Sequence, residues 1–379
     1  MDLKPPRFYC GLCGYETSGG EALCPQCGAP LEVYTRKVWG VDRRSPSMWR
    51  YKSMLPKVGS IVSLNEGYTP LRAFEGVKVK DETRNPTGSY IDRGSSVLVS
   101  ALKFTGATLS YIPDFTLSLT AYLKVAGLDV NVCLQGGYVE LDELVISAGL
   151  GARVLFSECS PTISYDNPFM VEGFKTIAYE IYEQAGHVDC VSVPAEEGIL
   201  AYSVARGFIE LSELGVASET PRIIVVVPVS RVKARIQDVL AKLKHVVVEN
   251  VDDRDIVSEV VKLALKGLRV RPISASSYVA AKNRKECIAL LTGTGAKKAR
   301  KLQPSLQGAR KLTRTQQSIL EIVKNEGRVT AYKVWKKLGG KATLRGVYTT
   351  IDSLSRRGLL TEELEVKGSR KVKVFSLKS

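Results

Sequence analysis

Short runs rich in Val and Ile alternate with longer helical segments through the middle of the chain, from about residue 60 to residue 298. The segments RIIVVVPVS, VDCVSVPA and ARVLFSE have the length and composition of strands that are buried on both faces. PFMVEGFKTIAYEIYEQAG and GILAYSVARGFIELSELG have the apolar periodicity of helices. Strands that alternate with helices in this way predict an α/β domain with a mostly parallel sheet.

The chain has 379 residues, which is enough for two or three domains. Hydrophobic residues make up 44% of it, and no run approaches the ~20 apolar residues of a membrane span. The first residues, MDLKPPRFYCGLC, lack the apolar stretch of a signal peptide. We therefore predict a soluble, cytoplasmic protein with no membrane partner. Asn and Gln are sparse, which favours a thermophilic source.

The positive charge is concentrated near the C-terminus. Residues 296–379 contain 21 Lys and Arg against 6 Asp and Glu, which accounts for the whole net charge of +15. The residues before them are neutral overall. A basic segment of this kind predicts a polyanionic partner, and a solvated basic tail is the simpler alternative.

Four of the eight cysteines form two C-x2-C pairs near the N-terminus, namely Cys10, Cys13, Cys24 and Cys27. Four thiolates at this spacing can surround one Zn²⁺ and leave no open coordination position for water. We therefore predict a structural zinc ribbon over residues 1–35. Two disulfides are the alternative, which an intracellular location disfavours. The remaining cysteines lie in apolar surroundings and are predicted to be small core residues: Cys133, Cys159, Cys190 and Cys287.

Three amphipathic helices and a strand pair are predicted after a basic linker at residues 299–312. Their order over residues 313–379 resembles the winged helix-turn-helix, whose third helix enters the major groove of DNA. The resemblance implies DNA contacts from the third helix, the turn before it and the hairpin: Lys341, Arg345, Tyr348, Thr349, Arg356, Lys367, Arg370 and Lys371. Winged helices also bind proteins, which is the alternative.

The central segment, assigned to residues 36–298, resembles threonine synthase, a member of the fold-type II pyridoxal phosphate (PLP) family. The resemblance rests on LNEGYTPL, VKDETRNPTGSYIDRG, NPFMVEGFKTIAYEI and ALLTGTGAKK, which follow one another in the family's order. The N-terminal zinc ribbon also resembles that of archaeal members. We therefore expect an α/β fold with a fold-type II PLP-enzyme-like core, an N-terminal zinc ribbon and a C-terminal winged helix.

The chain departs from the family's motifs in three parts of the cofactor site. Ile91 stands where the family has the lysine that forms a Schiff base. Pro113 and Asp114 replace a glycine and an asparagine at a helix start, and Glu196 and Glu197 replace the glycine-rich phosphate loop. Glu196 and Glu197 would repel a phosphate, and Asp114 would repel a carboxylate. Because all three parts of the site are changed, we predict a pseudoenzyme that binds no PLP.

The loop before Ile91 keeps the family's residues Asn85, Thr87, Gly88 and Ser89. These four are candidate ligand residues. The alternative is that the loop is retained for folding, with Ser89 as a helix cap and with Asp92 and Arg93 paired or capping locally.

Together these features predict a DNA-binding transcriptional regulator. In this hypothesis the core forms a homodimer and binds a small-molecule effector, such as an amino acid or a related metabolite. The homodimer would place two winged helices on a pseudo-palindromic site in double-stranded DNA. The alternatives are an enzyme of altered chemistry in the old cleft, and an adaptor that binds a protein partner. Structural Zn²⁺ is the cofactor that we predict.

Overall fold

The structure is a computed structural model that describes residues 6–102, 104–157, 159–231, 235–295, 297, 314–340, 342–356, 359–367 and 370–377. Within these ranges only the backbone is described for residues 314, 356, 366–367 and 370–371. The chain divides into two compact units, Met1–Leu306 and Gln307–Ser379. Among the described residues, no helix combines the length and the apolar character that a membrane crossing requires.

The first unit begins with a small antiparallel sheet of three two-residue strands, β1 (Phe8–Tyr9), β2 (Glu16–Thr17) and β3 (Glu32–Val33), in the order β2-β1-β3. Phe8 and Val33 are buried in the main hydrophobic core of the unit. The ring of Phe8 meets that of Phe169 edge-on, with 5.9 Å between the centroids. This small sheet is therefore packed onto the α/β core.

Two further sheets form the α/β core. The larger has the order β11-β10-β9-β12-β5-β4, and every neighbouring pair in it is parallel except β4 with β5. Its strands are β4 (Leu71–Phe74), β5 (Val77–Asp81), β9 (Cys190–Pro194), β10 (Arg222–Pro228), β11 (Val246–Val251) and β12 (Cys287–Leu291). The smaller sheet is parallel and comprises β6 (Gly106–Ser110), β7 (Asp129–Cys133) and β8 (Arg153–Leu155). The predicted α/β class with mostly parallel strands is confirmed.

Helices cover both faces of the larger sheet. They are α1 (Ile91–Ala101), α2 (Phe115–Val125), α3 (Leu141–Gly149), α4 (Pro168–Ala185), α5 (Ile199–Glu213), α6 (Gln237–Leu240), α7 (Asp253–Leu265) and α8 (Pro272–Lys282). Side chains of α1, α4 and α5 share one hydrophobic core with β9, β10 and β12, and α7 and α8 share the other. The helices α1 and α4 meet at Gly173, where a Cβ atom would lie 2.4 Å from the carbonyl oxygen of Arg93.

Two disulfides link the cysteines that were expected to be small core residues. Cys133 at the end of β7 is bonded to Cys159, and Cys190 on β9 is bonded to Cys287 on β12. Cys190 and Cys287 are direct neighbours in the register of these two parallel strands. The expectation was incomplete because partners 26 and 97 residues apart cannot be recognised from local composition.

The second unit contains α9 (Arg314–Glu326), α10 (Ala331–Lys337), α11 (Leu344–Arg356) and an antiparallel pair, β13 (Leu360–Lys367) and β14 (Arg370–Leu377). Val329 pairs with Phe375 and so ties the segment before α10 to the hairpin. All three helices and the hairpin contribute to one core: Ile319, Val323, Val334, Val347, Ile351, Leu354, Leu360 and Phe375.

Candidate functional site

A cleft of about 1010 Å³ opens in the first unit at the carboxyl ends of β9 and β10. Its wall includes Pro194 and Pro228 from these strands and the starts of α1, α2 and α5. The carboxyl ends of parallel strands are the usual place for a ligand in an open α/β sheet. The residues that the sequence singled out as a lost cofactor site all line this cleft: Ile91, Pro113, Asp114, Glu196 and Glu197.

Apolar and aromatic side chains form one part of the cleft around Ile91, which is only 4% exposed. Tyr90 lies beside it, and its hydroxyl is 2.7 Å from the hydroxyl of Tyr165. The ring of Tyr90 also packs on Phe174, with 4.9 Å between the centroids. Ile91 therefore continues an apolar surface and brings no nucleophile into the cleft.

The two glutamates at the start of α5 are neutralised by arginines. Arg231 forms an ion pair with Glu196. Arg235 lies 2.9 Å from Glu197 and 2.7 Å from Asp166. All five side chains are partly exposed at the cleft. Sequence reasoning missed both arginines, because they follow a different strand and lie more than 30 residues along the chain from their partners.

Asp114 is held between two cations at the start of α2. Its carboxylate lies 2.9 Å from the guanidinium of Arg271 and also pairs with Lys297. Its backbone has φ of +63°, which is uncommon for a residue with a side chain. Strained backbone of this kind is concentrated at functional sites in proteins. Asp114 is thus a fixed, charge-balanced group in the cleft wall.

Glu143 lies directly behind Asp114. It accepts a hydrogen bond from the backbone N–H of Asp114 at 2.7 Å and pairs with Arg271. Burial and the charge of Asp114 raise the pKa of Glu143 to about 7, although Lys297 and Arg271 oppose the shift. A carboxyl group with a pKa near neutrality can exchange protons at physiological pH.

The retained loop before Ile91 forms hydrogen bonds with other residues of the first unit. Asp92 accepts hydrogen bonds from the backbone N–H of Thr87 at 2.7 Å and from its hydroxyl at 2.6 Å. Asn85 donates to Glu82 at 2.7 Å, and Gly88, with φ of +81°, accepts from the N–H of Thr294 at 2.9 Å. None of the four candidate ligand residues, Asn85, Thr87, Gly88 and Ser89, lines the described wall of the cleft.

Arg93 connects this loop to α4 through a buried ionic network. Its guanidinium lies 2.7 Å from Glu82 and 2.6 Å from Glu180, and all three side chains are fully buried. Lys80 joins the same network, 2.8 Å from Glu180. Burial lowers the pKa of Lys80, and Glu180 partly offsets the shift. Arg93 and Lys80 therefore connect this loop and β5 to α4.

The four N-terminal cysteines form a second candidate site. The sulfur atoms of Cys10, Cys13, Cys24 and Cys27 all lie within 4.8 Å of one another. Gly14 and Gly28 close the two turns with φ of +77° and +76°, and their N–H groups donate to the carbonyls of Cys10 and Cys24. Four sulfurs at this separation could hold one tetrahedral metal ion.

The predicted DNA contacts lie in the second unit. Arg345, Tyr348 and Thr349 on α11 are exposed, and Tyr348 is 44% exposed. Arg345 has no ion-pair partner among the residues that the structure describes. Lys341 lies outside the described residues. The side chains of Arg356, Lys367, Arg370 and Lys371 are also outside them.

A family model described as pyridoxal-phosphate dependent enzyme matches residues 62–293. The chain belongs to this family, and its core has the fold-type II architecture. It is 31% identical over 252 residues to a threonine synthase of Methanosarcina acetivorans, covering 56% of this chain and 62% of that protein. It is 32% identical over 213 residues to a threonine synthase of Methanocaldococcus jannaschii, covering 48% and 53%. The chain therefore spans little more than half the length of these relatives.

Among solved structures, a threonine deaminase from T.th. is similar with a TM-score of 0.50 and 18% identity. The similarity covers 61% of this chain and 93% of that one, and it supports the fold.

These comparisons overturn the prediction of a pseudoenzyme without PLP. The matched family is described as pyridoxal-phosphate dependent enzyme, and both relatives are named as threonine synthases. The structure supplies a physical reason for the error. The prediction treated Glu196 and Glu197 as unpaired charges that would repel a phosphate, and Asp114 as an unpaired charge that would repel a carboxylate. Each of them is in fact neutralised by a neighbouring Arg or Lys, so the repulsion is much smaller than expected.

The described wall of the cleft does not fit a covalently attached PLP. Arg231 and Arg235 lie beside the residues that precede α5, where a phosphate could be placed, but both are paired with carboxylates there. No lysine is among the described lining residues, and Ile91 has no amine. The residues therefore do not fit a covalently held cofactor, and no catalytic step is derived through one.

Proposed function

We propose that this protein binds double-stranded DNA through its second unit and acts as a transcriptional regulator. The observation that carries the proposal is α11. It buries Val347, Ile351 and Leu354 and exposes Arg345 and Tyr348 on the other side. A helix of this kind, within a three-helix and hairpin unit of high positive charge, is suited to the major groove.

The charges of the second unit support a polyanionic partner. Its described carboxylates are largely occupied: Glu326 pairs with Lys333 and Lys337, and Glu363 pairs with Arg328. The exposed cations Lys324 and Arg345 have no such partner among the described residues. Excess cations on one compact unit favour binding to phosphates.

In this proposal the first unit has two supporting roles. The cysteine cluster holds a structural Zn²⁺ in a ribbon over residues 1–35, and the family domain over residues 36–298 forms the homodimer. The cleft binds a small-molecule effector, for which its size and its balanced Arg and carboxylate pairs are suitable. The second unit, over residues 313–379, is the winged helix-turn-helix.

The test is duplex binding across a salt series. The full chain should bind labelled double-stranded DNA with an affinity that falls steeply with salt, with a slope of about −0.9 per phosphate neutralised. A chain truncated after Gln307 should lose this binding and still fold. Binding that is absent, or that is insensitive to salt, would contradict the proposal.

A second candidate function is an enzymatic activity in the cleft. The observation that favours it is Asp114, which lines the cleft with φ of +63° and whose N–H donates to the buried Glu143 behind it, a carboxyl group with a pKa of about 7. The test is a visible-absorbance titration of the purified chain with PLP, followed by an activity screen with amino acids. A bound chromophore and turnover that is lost in Glu143→Gln would support this function. Turnover that persists in Glu143→Gln would exclude Glu143 as the acid–base group.

A further inference from the structure

The described wall of the cleft carries a surplus of negative charge. Six of its residues are acidic and three are basic, although the residues before position 296 carry no net charge as a whole. A wall of this composition attracts cations and repels anions. The acidic residues are Asp114, Glu140, Asp166, Glu196, Glu197 and Asp253, and the basic ones are Arg231, Arg235 and Arg271.

The three arginines are already occupied by carboxylates of the first unit. Arg231 and Arg235 form ion pairs with the glutamates before α5. Arg271 lies 2.9 Å from Asp114 and 2.9 Å from Glu140. An anionic ligand would therefore have to displace a carboxylate of the wall in order to reach an arginine, whereas a cationic ligand would not.

Asp253, the first residue of α7, is the described lining carboxylate that has no cationic partner. It accepts a hydrogen bond from the hydroxyl of Ser230 at 2.7 Å and another from the backbone N–H of Ser230 at 2.8 Å. These two hydrogen bonds lower the pKa of Asp253, so the carboxylate stays charged. An oriented carboxylate without a counter-ion is suited to a charge-assisted hydrogen bond from a ligand.

Thr292 contributes an unpaired hydroxyl to the same cleft. The residue follows β12, lines the wall and is only 5% exposed. Its backbone N–H donates to the hydroxyl of Ser274 at 2.8 Å, and its carbonyl accepts from the N–H of Tyr90 at 2.9 Å. Its hydroxyl has no hydrogen-bond partner within the described part of the chain. Because buried polar groups are normally paired, this hydroxyl indicates that a polar group of a ligand belongs beside it.

Aromatic side chains line another part of the cleft. The rings of Phe115 and Tyr165 meet edge-on, with 5.9 Å between the centroids, and Tyr90 lies against Tyr165 through the hydroxyl contact. Ile91 and Leu200 extend this surface with aliphatic carbon. Apolar walls with a few polar groups are typical of small-molecule sites, and ring faces also attract cations.

We propose that the cleft binds, without a covalent bond, an organic amine cation with an aromatic body. The ammonium group pairs with the carboxylates of the wall, of which Asp253 is the unpaired one, and the ring packs on the aromatic surface. The inference rests on the proposed function, in which the cleft holds a small-molecule effector, and it names the chemical class of that effector.

The test is isothermal titration calorimetry of the full chain with three probes that share a phenyl ring and differ in charge. The probes are phenethylamine, phenylalanine and 3-phenylpropionate. We expect phenethylamine to bind roughly tenfold or more tightly than the other two, and the difference to shrink as salt is added. No binding of phenethylamine, or equal or tighter binding of either other probe, would overturn the proposal.

Asp253→Asn tests the carboxylate, and Asp129→Asn is the matched control because Asp129 is exposed and does not line the described cleft. Affinity for phenethylamine should fall roughly fivefold in Asp253→Asn and stay unchanged in Asp129→Asn. The asparagine keeps an oxygen that can accept from Ser230, and thermal melting checks that both variants fold. Equal affinities in the two variants would remove Asp253 from the site.

The titrations contain no DNA, so their result does not depend on the second unit. Duplex binding by a chain that does not bind phenethylamine would overturn the ligand class and leave the DNA-binding proposal intact. Phenethylamine binding by a chain that does not bind duplex DNA would have the opposite meaning.

Discussion

At the scale of single residues, the motif around Ile91 keeps the family's residues at the positions whose side chains form hydrogen bonds or ion pairs inside the protein. Asp92 binds Thr87 and the hydroxyl of Ser118, and Arg93 joins Glu82 to Glu180. Ile91 itself makes no polar side-chain contact and only extends an apolar wall. The residues that remain recognisable are thus the ones whose removal would leave buried polar groups unpaired.

Asp92 should make the stability of the first unit depend on pH. Burial raises the pKa of Asp92 to about 7, while hydrogen bonds from Ser118 and Thr87 oppose the shift. The folded state then holds a proton that the unfolded state releases near pH 4, so stability falls as pH rises towards 7. Between pH 5 and pH 7 the wild type should lose about 2 kcal/mol more free energy of unfolding than Asp92→Asn.

Denaturant unfolding of both proteins at several pH values measures this difference. Glu143 is present in both proteins, so its own titration cancels in the comparison. Parallel stability curves for the wild type and Asp92→Asn would show that Asp92 keeps an ordinary pKa.

At the scale of elements, the N-terminal sheet is anchored by one buried carboxylate on β3. Glu32 is fully buried and contacts Lys175, Arg206 and the hydroxyl of Tyr202. Burial would raise the pKa of Glu32, but Lys175 and Arg206 outweigh it and hold the pKa well below its usual range. The small sheet and the helices α4 and α5 therefore share one ionic network.

Glu32→Gln should destabilise the first unit by about 3–5 kcal/mol, because Arg206 and Lys175 lose a buried partner. Glu16→Gln is the matched control on the same small sheet, since Glu16 pairs with Arg7 at an exposed position. We expect it to cost at most about 1 kcal/mol. Equal losses of unfolding free energy in the two variants would contradict the anchoring role of Glu32.

If the four N-terminal cysteines hold zinc, the metal should also stabilise the first unit against unfolding. The purified chain should contain one zinc ion per molecule, and Cys24→Ser should lose it and melt at a lower temperature. Elemental analysis combined with thermal melting makes the measurement. A full chain without bound zinc, melting at the same temperature as Cys24→Ser, would exclude a structural metal.

The preference of the second unit for particular DNA sequences should depend on side chains of α11. Arg345→Ala should weaken binding to a preferred duplex by about 1–3 kcal/mol and relax the preference at one base pair. Lys324→Ala, an exposed lysine on α9, should weaken binding to all duplexes equally or not at all. Competition assays with a set of duplexes distinguish these outcomes, and an unchanged preference in Arg345→Ala would remove α11 from the interface.

At the scale of the whole molecule, the apolar periodicity of the sequence predicted the fold class and the core, but no sequence pattern predicted the ion pairs. The alternation of strands and helices indicated the α/β class, and apolar spacing located Val347, Ile351 and Leu354 in the core of the second unit. The resemblance to the family also placed Ile91, Pro113, Asp114, Glu196 and Glu197 at one site, and all five line the cleft. Their cationic partners were not foreseen, because Arg271 and Asp114 are 157 residues apart and meet only through the fold. The disulfides were missed for the same reason.

The most direct test of DNA binding is the occupancy of genomic DNA by the full chain in its source cells. We expect discrete sites, and we expect the double variant Arg345→Ala and Tyr348→Ala to lose them while it remains folded and present at the same level. Uniform background for the wild type, or unchanged sites for the double variant, would contradict this expectation.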